Sequence, residues 1–349
     1  MSSRARSTTS SRARSTNGDW PAVSAVLTVL NEEKHLRSAV GSVLAQDYPG
    51  DIEVLLALGP SKDKTDAVAA AMSAEDPRVI CVQNPSGRTP EGLNKTIAAS
   101  HHQIVARVDG HAELPDHYLR TAVELLQRTG AVNVGGLMWA VGHNEFERAV
   151  ARAMTSRFGV GNAPFHVGGA EGPADTVYLG VFRREALEAV GGYDEAFTRA
   201  QDWEMNYRLR RAGGLIWFTP ELRVSYRPRG SVTTLSQQYF NYGLWRGEVM
   251  RQHPDTVNLR YLAPPTALLG VAVGLVTGVI GLFTLPVLRW GFVLPAGYLA
   301  LVLAGSLVTG RGLGWRARLW LPVVYASMHG SWGTGFFASL KRYIRRAVP

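Results

Sequence analysis

The sequence predicts an α/β protein with a Rossmann-like, mainly parallel sheet, followed by a C-terminal helical region that crosses a membrane. Three observations predict it. Apolar strand-like runs alternate with helix-period runs over residues 22–109. Polar residues of ligand type collect where those strands end. Beyond Tyr261 the chain passes into two long stretches without a charge.

AVSAVLTVLNEE (Ala22–Glu33) is an apolar strand ending in a polar turn, and the run after it sets Leu36, Val40, Val43 and Leu44 on one helical face. IEVLLALG and KTDAVAAAMSA repeat the strand–helix pair, RVICVQNP and TPEGLNKTIAAS repeat it again, and QIVARVD is a fourth strand. Such alternation requires crossovers of one hand and a parallel sheet. Ligands of such sheets bind at the carboxyl ends of the strands. Asn31–Glu33, Gly59–Asp63 and Asp109–His111 all fall at such ends.

Of 37 basic and 28 acidic residues, nine basic and no acidic ones lie after Asp255, so the formal charge of +9 belongs to the tail. Basic residues flanking apolar runs point to a membrane rather than to nucleic acid. With the arginines of residues 1–19 set aside, residues 20–255 are net acidic, and no nucleic-acid partner is expected. The uncharged runs give spans at about 264–288 and 290–309, each near the 20 residues a bilayer requires. Gly270, Gly274 and Gly278 form a small-residue face through which a second copy could pack. Residues 319–340 contain Pro322 and three glycines between basic clusters, which predicts a re-entrant or interfacial segment.

Residues 1–19 carry four arginines, many Ser and Thr and no apolar core, so they read as a disordered arm and not a secretory signal. Residues 20–255 are then expected as a cytoplasmic domain, and 256–349 as a multi-pass region in the cell membrane. The single cysteine, Cys81, excludes an internal disulfide and a Cys-based zinc site.

Three clusters could do chemistry. Asp109 and His111, either side of Gly110, can project oxygen and nitrogen to one point, or can form an ordinary polar turn. Asp202 and Glu204 open a helix that Gly213–Gly214 end, with Asp202 either an N-cap or a proton-accepting carboxylate. Arg227, Arg229, Arg246 and Arg251 interleave with Tyr239, Phe240, Tyr242 and Trp245, a segment suited to anionic headgroups or to a phosphate. No G-x-G-x-x-G follows the first strand, which excludes a nicotinamide dehydrogenase of the usual kind.

In order along the chain, N-E-E after strand one, D-G-H after strand four, Q-D-W-E on a later helix and a Gln/Arg/Trp-rich segment before membrane helices resemble a family 2 glycosyltransferase. The likeness is to the GT-A fold, most closely to its membrane-attached, succinoglycan-biosynthesis-like branch, and covers Ala22 to Arg251. It implies inverting transfer of a sugar from an activated donor to a lipid-linked or growing glycan acceptor, in cell-envelope or exopolysaccharide synthesis. Asn31, Glu32, Glu33, Gly59, Asp63, Arg107 and Asp109 would then bind the donor, together with Gln238, Trp245 and Arg246. Asp109 and His111 would hold a divalent cation, Mn²⁺ or Mg²⁺. Asp202 would be the general base, with Glu204 and Tyr178 on the acceptor side.

The sequence departs from the family pattern at four places. Leu58 stands where an acid usually contacts the nucleotide base, which leaves the nucleotide open. His111 takes the second D-x-D position, Gln201 precedes the base where an acid often stands, and Arg246 follows Trp245 in reversed order. Two alternatives stay open: a synthase that loads one sugar onto polyprenyl phosphate, and a catalytically silent sugar-nucleotide-binding protein.

Overall fold

The structure is a computed structural model that describes residues 20–347. The basic arm at residues 1–19 lies outside the described residues. Strand β1 (Val23–Val29) leads to α1 (Leu36–Leu44), β2 (Ile52–Leu58) to α2 (Thr65–Glu75), β3 (Val79–Gln83) to α3 (Thr89–Ala99), and β4 (Ile104–Asp109) to α4 (Tyr118–Thr129). Then follow β5 (Asn133–Ala140), α5 (Glu145–Met154), the short turns α6 (Arg157–Val160) and α7 (Pro164–Val167), β6 (Gly172–Pro173) and β7 (Tyr178–Arg183). Helix α8 (Arg184–Ala189), α9 (Gln201–Arg211), β8 (Ile216–Tyr226) and α10 (Val232–Gln252) complete the sheet domain.

The eight strands form one sheet in the order β3-β2-β1-β4-β7-β5-β8-β6. The first four pair in parallel, and β7 enters antiparallel between β4 and β5. Every residue of β2 is buried because helices cover both faces, as an all-parallel segment requires. On one face, Val23, Ala25, Leu27 and Val29 of β1 pack in one core with α1, α2 and α4. On the other, Val26 and Val105 pack with Leu93 of α3, Leu187 of α8 and Met205 and Leu209 of α9. Since strand side chains alternate, Arg107 and Asp109 share the α9 side with Val105. That parity places the functional groups.

The C-terminal region is helical. Helix α11 (Leu259–Phe283) is followed by a 3₁₀ segment (Pro286–Phe292), α12 (Val293–Thr309) and α13 (Trp315–Ala347). Leu259–Phe283 and Pro286–Thr309 are long and apolar enough to cross a membrane, and only 17% and 11% of their most apolar stretches are buried. Burial this low differs from that of helices in a soluble core. The first helix ends at Phe283, not at 288, because Pro286 supplies no N–H and biases its predecessor away from helix.

Two expectations meet the structure here. Of the glycine face, Gly274 and Gly278 are packed within the chain against Gly291, Phe292 and Leu294, whereas a Cβ on Gly270 would meet nothing within 4 Å. Residues 319–340 belong to one helix, without the turn a re-entrant segment needs. Pro322 is accommodated inside α13, and the glycines allow close packing. A Cβ on Gly335 would collide with the Phe240 carbonyl of α10, and one on Gly243 with that of Trp332. Leu321, Val324, Tyr325 and Met328 of α13 join Phe146, Val150, Leu235 and Tyr239 in a third core.

Candidate active site

The site sits at the carboxyl ends of β2, β1 and β4, adjacent strands whose last residues register as Val29 with Leu58 and Thr28 with Asp109. The turns after β1 and β2 are stitched together. Asn31 N–H donates to Ser61 Oγ (3.1 Å), and Asn31 Oδ1 accepts from Lys62 N–H (2.8 Å). Glu32 N–H donates to Thr65 Oγ1 (2.8 Å) and Glu33 N–H to Asp63 Oδ2 (3.2 Å). Glu33 Oε2 accepts from Lys64 N–H (3.2 Å), and Asp63 Oδ1 from Thr65 N–H (3.1 Å). Asp63 and Glu33 thus act as clasps between two loops. Gly59 lies where a Cβ would be 3.2 Å from Gly87, Leu30 and the Val29 carbonyl. Leu58 is buried at the end of β2.

The buried Arg107 side chain joins the two halves of the site. Its Nη2 lies 3.1 Å from Asp109 Oδ1, and its Nη1 forms an ion pair with Asp202 Oδ1 of α9. Burial works against the guanidinium charge, yet the Asp109 carboxylate holds Arg107 above its ordinary value. Tyr178 O–H reaches Asp109 Oδ2 at 3.4 Å, which places the phenol beside the Asp109 carboxylate. Burial raises the Tyr178 phenol well above its usual range.

Asp202 is not the N-cap of α9. Ala200 occupies that place, and Asp202 lies in the first turn, where the helix dipole favours a carboxylate. Its side chain is 38% exposed, open to a substrate. Glu204, expected on the acceptor side, is instead buried and held by Arg208 through both oxygens (2.6 and 2.7 Å). Arg208 also donates to the carbonyls of Val190 and Gly192, which fixes the loop before α9.

His111 Nδ1 lies 2.9 Å from Glu32 Oε1. That contact, and then the nearby Asp109, raises the imidazole above its ordinary value against the effect of burial. A carboxylate on one ring nitrogen orients the other toward a metal, the usual partner arrangement of a metal-binding histidine. Among the described residues there is no cluster of three or more metal-ligating side chains. Asp109 and His111 with Glu32 behind form a sparse set, suited to a hard cation whose shell substrate oxygens complete.

On α10, Gln238 Nε2 donates to the hydroxyls of Tyr226 (2.8 Å) and Tyr242 (2.9 Å). Trp245 packs on Phe197 and lines a cavity of about 270 Å³ with Leu244 and Ser339. Arg246 turns the other way, its guanidinium 4.4 Å from the Trp203 ring beside Asp202. Adjacent helix positions point about 100° apart, so Trp245 and Arg246 do not share one ligand surface.

Sequence reasoning missed a backbone signature. The non-glycine residues with positive φ among those described are Asn31 (58°), Leu179 (45°) and Ala200 (59°), and each adjoins a site residue: Glu32, Tyr178 or the first turn of α9. Strain of this kind concentrates at functional sites. Arg199 was also missed. It is exposed, and both it and Arg229 act on the Tyr242 phenol, while Arg229 also acts on His111. Its position directly before the Q-D-W-E run was the available signal.

A mainly parallel sheet with a polar rim at its carboxyl ends, an Asp-Gly-His turn and a facing helical aspartate form the arrangement of a glycosyltransferase of the GT-A class. Residues 21–259 match the family described as "Glycosyltransferase like family 2". The chain is 32% identical over 327 residues to the succinoglycan biosynthesis protein ExoA of Rhizobium meliloti (strain 1021), covering 93% of this chain and 96% of that protein. It is 24% identical over 251 residues to the dolichyl N-acetyl-alpha-D-glucosaminyl phosphate 3-beta-D-2,3-diacetamido-2,3-dideoxy-beta-D-glucuronosyltransferase of Methanococcus voltae, covering 69% and 77%. A mannosyltransferase of Pyrobaculum calidifontis, solved with GDP-Man and Mn²⁺, superposes with a TM-score of 0.56 at 19% identity, covering 92% of this chain and 87% of that one, and so shares the fold. The chain belongs to glycosyltransferase family 2, and it is a glycosyltransferase.

Proposed function

We propose that this enzyme transfers a sugar, with inversion, from a nucleotide sugar to a lipid-linked glycan acceptor at the cytoplasmic face of the cell membrane. The observation that carries the reading is the Arg107 guanidinium held between Asp109 and Asp202. It puts a carboxylate suited to the donor's diphosphate side and one suited to proton removal on a shared pivot. The acceptor hydroxyl oxygen attacks the anomeric carbon, its proton passes to the Asp202 carboxylate, and the bond to the diphosphate breaks on the opposite face. Arg107, ion-paired with Asp202, keeps that carboxylate aimed until the transfer. A general base of this kind contributes about 10²–10⁴ in rate.

Asp109 and His111, with Glu32 orienting the imidazole, would hold a divalent cation, Mn²⁺ or Mg²⁺. The cation supplies positive charge where the leaving diphosphate develops its negative charge. Arg199 and Arg229 add charge on the same side. The lipid-linked acceptor is supported by two exposed apolar helices, the first of which carries Tyr261 beside Arg246, and by the dolichyl phosphate in the name of the Methanococcus relative. A polymer made in polysaccharide or cell-envelope synthesis is supported by the likeness to the succinoglycan protein.

The test is turnover by the detergent-purified protein with UDP-, GDP- and TDP-sugars and a membrane-lipid extract, with Mn²⁺, Mg²⁺ or EDTA. Release of nucleotide with label entering a lipid-extractable product supports the reading. If the extractable product is a monosaccharide on prenyl phosphate, the enzyme is a prenyl-phosphate sugar synthase. Tight nucleotide binding without turnover points to the silent binding protein.

A further inference from the structure

Where α9, α10 and α11 meet, three buried donors face no acceptor among the described residues: Trp203 Nε1, Arg246 Nη1 and Arg260 Nε. They belong to one cluster. The Arg246 guanidinium lies 4.4 Å from the Trp203 ring and 4.1 Å from the Tyr261 ring, and that of Arg260 lies 4.6 Å from the same Tyr261 ring. Two guanidinium groups therefore stack about one tyrosine with no carboxylate between them. Asp175, the carboxylate that acts on Arg246, is mostly exposed and lies 3.4 Å from Arg210 instead. Buried donors without acceptors are costly, and like charges this close add to the cost. A doubly charged oxyanion would satisfy both.

We propose that Arg246, Arg260 and the Trp203 indole N–H bind the phosphate group of a lipid, the head of the acceptor, beside Asp202. The proposal rests on the transferase reading above and extends it to the acceptor. Arg260 lies in the first turn of α11, a helix long and apolar enough to cross a membrane, and Leu259 before it is 83% exposed. An apolar tail attached to a phosphate held there has α11 to run along. Trp203 follows Asp202 directly, so the phosphate is anchored one residue from the base.

The test is direct binding to the full chain in detergent micelles, by calorimetry, with farnesyl phosphate, farnesol, inorganic phosphate, phosphatidylglycerol and a nucleoside diphosphate as separate probes. Because binding is read without turnover, failure of the transferase reading and failure of this site give different results. Arg260→Gln is expected to weaken farnesyl phosphate by about 10- to 100-fold, the worth of one charge-assisted hydrogen bond. Nucleoside diphosphate affinity should stay within about twofold, which also reports that the variant is folded. Arg246→Lys, which keeps charge but loses the planar fork, should show a smaller loss in the same direction. Unchanged farnesyl phosphate binding in Arg260→Gln overturns the proposal. So does a loss of nucleoside diphosphate affinity instead, which would make this a donor site, or equal binding of phosphatidylglycerol, which would make it a bulk-headgroup site.

Discussion

Asp109 at the end of β4 and Asp202 in the first turn of α9 are joined through one guanidinium, that of Arg107. Neither carboxylate is therefore held by its own element alone. Removing the cation leaves two acids facing each other with no counter-charge. Arg107→Met is expected to cost about 2–4 kcal/mol of stability, near the lower part of the range for a broken buried pair, since Asp202 is partly exposed. It should also lower kcat while changing KM for the donor less, because it disorders groups needed in the transition state. Denaturant unfolding and steady-state kinetics on the same preparation check both.

Glu32 Oε1 lies 2.9 Å from His111 Nδ1 and so orients the imidazole. Glu32→Gln should weaken Mn²⁺ activation by about 10- to 100-fold, the usual loss on removing such an orienting carboxylate. Raising Mn²⁺ should restore the rate. A titration of activity with Mn²⁺ shows this as a shifted midpoint with an unchanged plateau.

Ala200 holds a left-handed conformation that costs an ordinary residue about 1–2 kcal/mol. Ala200→Gly should leave stability within about 1 kcal/mol, since relief of strain offsets the entropy glycine adds to the unfolded chain. Ala200→Val, with a branched Cβ, should lower the melting temperature and the transfer rate together, by displacing the first turn of α9. Thermal unfolding beside a rate measurement separates the two variants.

Glu147 is buried on α5. Burial alone would raise its carboxyl, but Arg227 at 3.0 Å and the His143 N–H at 2.8 Å hold it below its ordinary value. A depressed folded-state value stabilises fully above the unfolded carboxylate value of about 4.3, and the gain is lost as pH falls through the lower folded value. Arg227→Met removes much of that depression, so acid unfolding should begin at a higher pH. At neutral pH the cost should be about 1–3 kcal/mol, between exposed and fully buried pairs, because Arg227 is largely exposed. Unfolding free energies measured from pH 3 to 7 check the sign.

The strand ends were legible because a two-residue and a 3.6-residue period announce themselves, and Asn31 and Asp109 could be located from them, while Asp202 was legible as the acid opening a helix. What was not legible came from tertiary contact. Asp63 has the look of a ligand residue, but its oxygens are taken by the neighbouring turn. Glu204 has the same spelling as a functional acid, and only the i,i+4 spacing to Arg208 hinted at the pair that occupies it. Pro322 and the glycines around it read as breaks. In the fold, packing on α5 and α10 keeps α13 continuous and uses the glycines for close approach. The inserted antiparallel β7 and its strained Leu179 leave no periodic trace.

The central claim is that Asp202 accepts the acceptor's proton. It is tested most directly by the transfer rate of Asp202→Asn under saturating donor, acceptor and metal, with nucleotide affinity measured on the same protein. The account predicts a fall of about 10²–10⁴ in rate with nucleotide affinity retained. A variant that transfers sugar at close to the parent rate would contradict it.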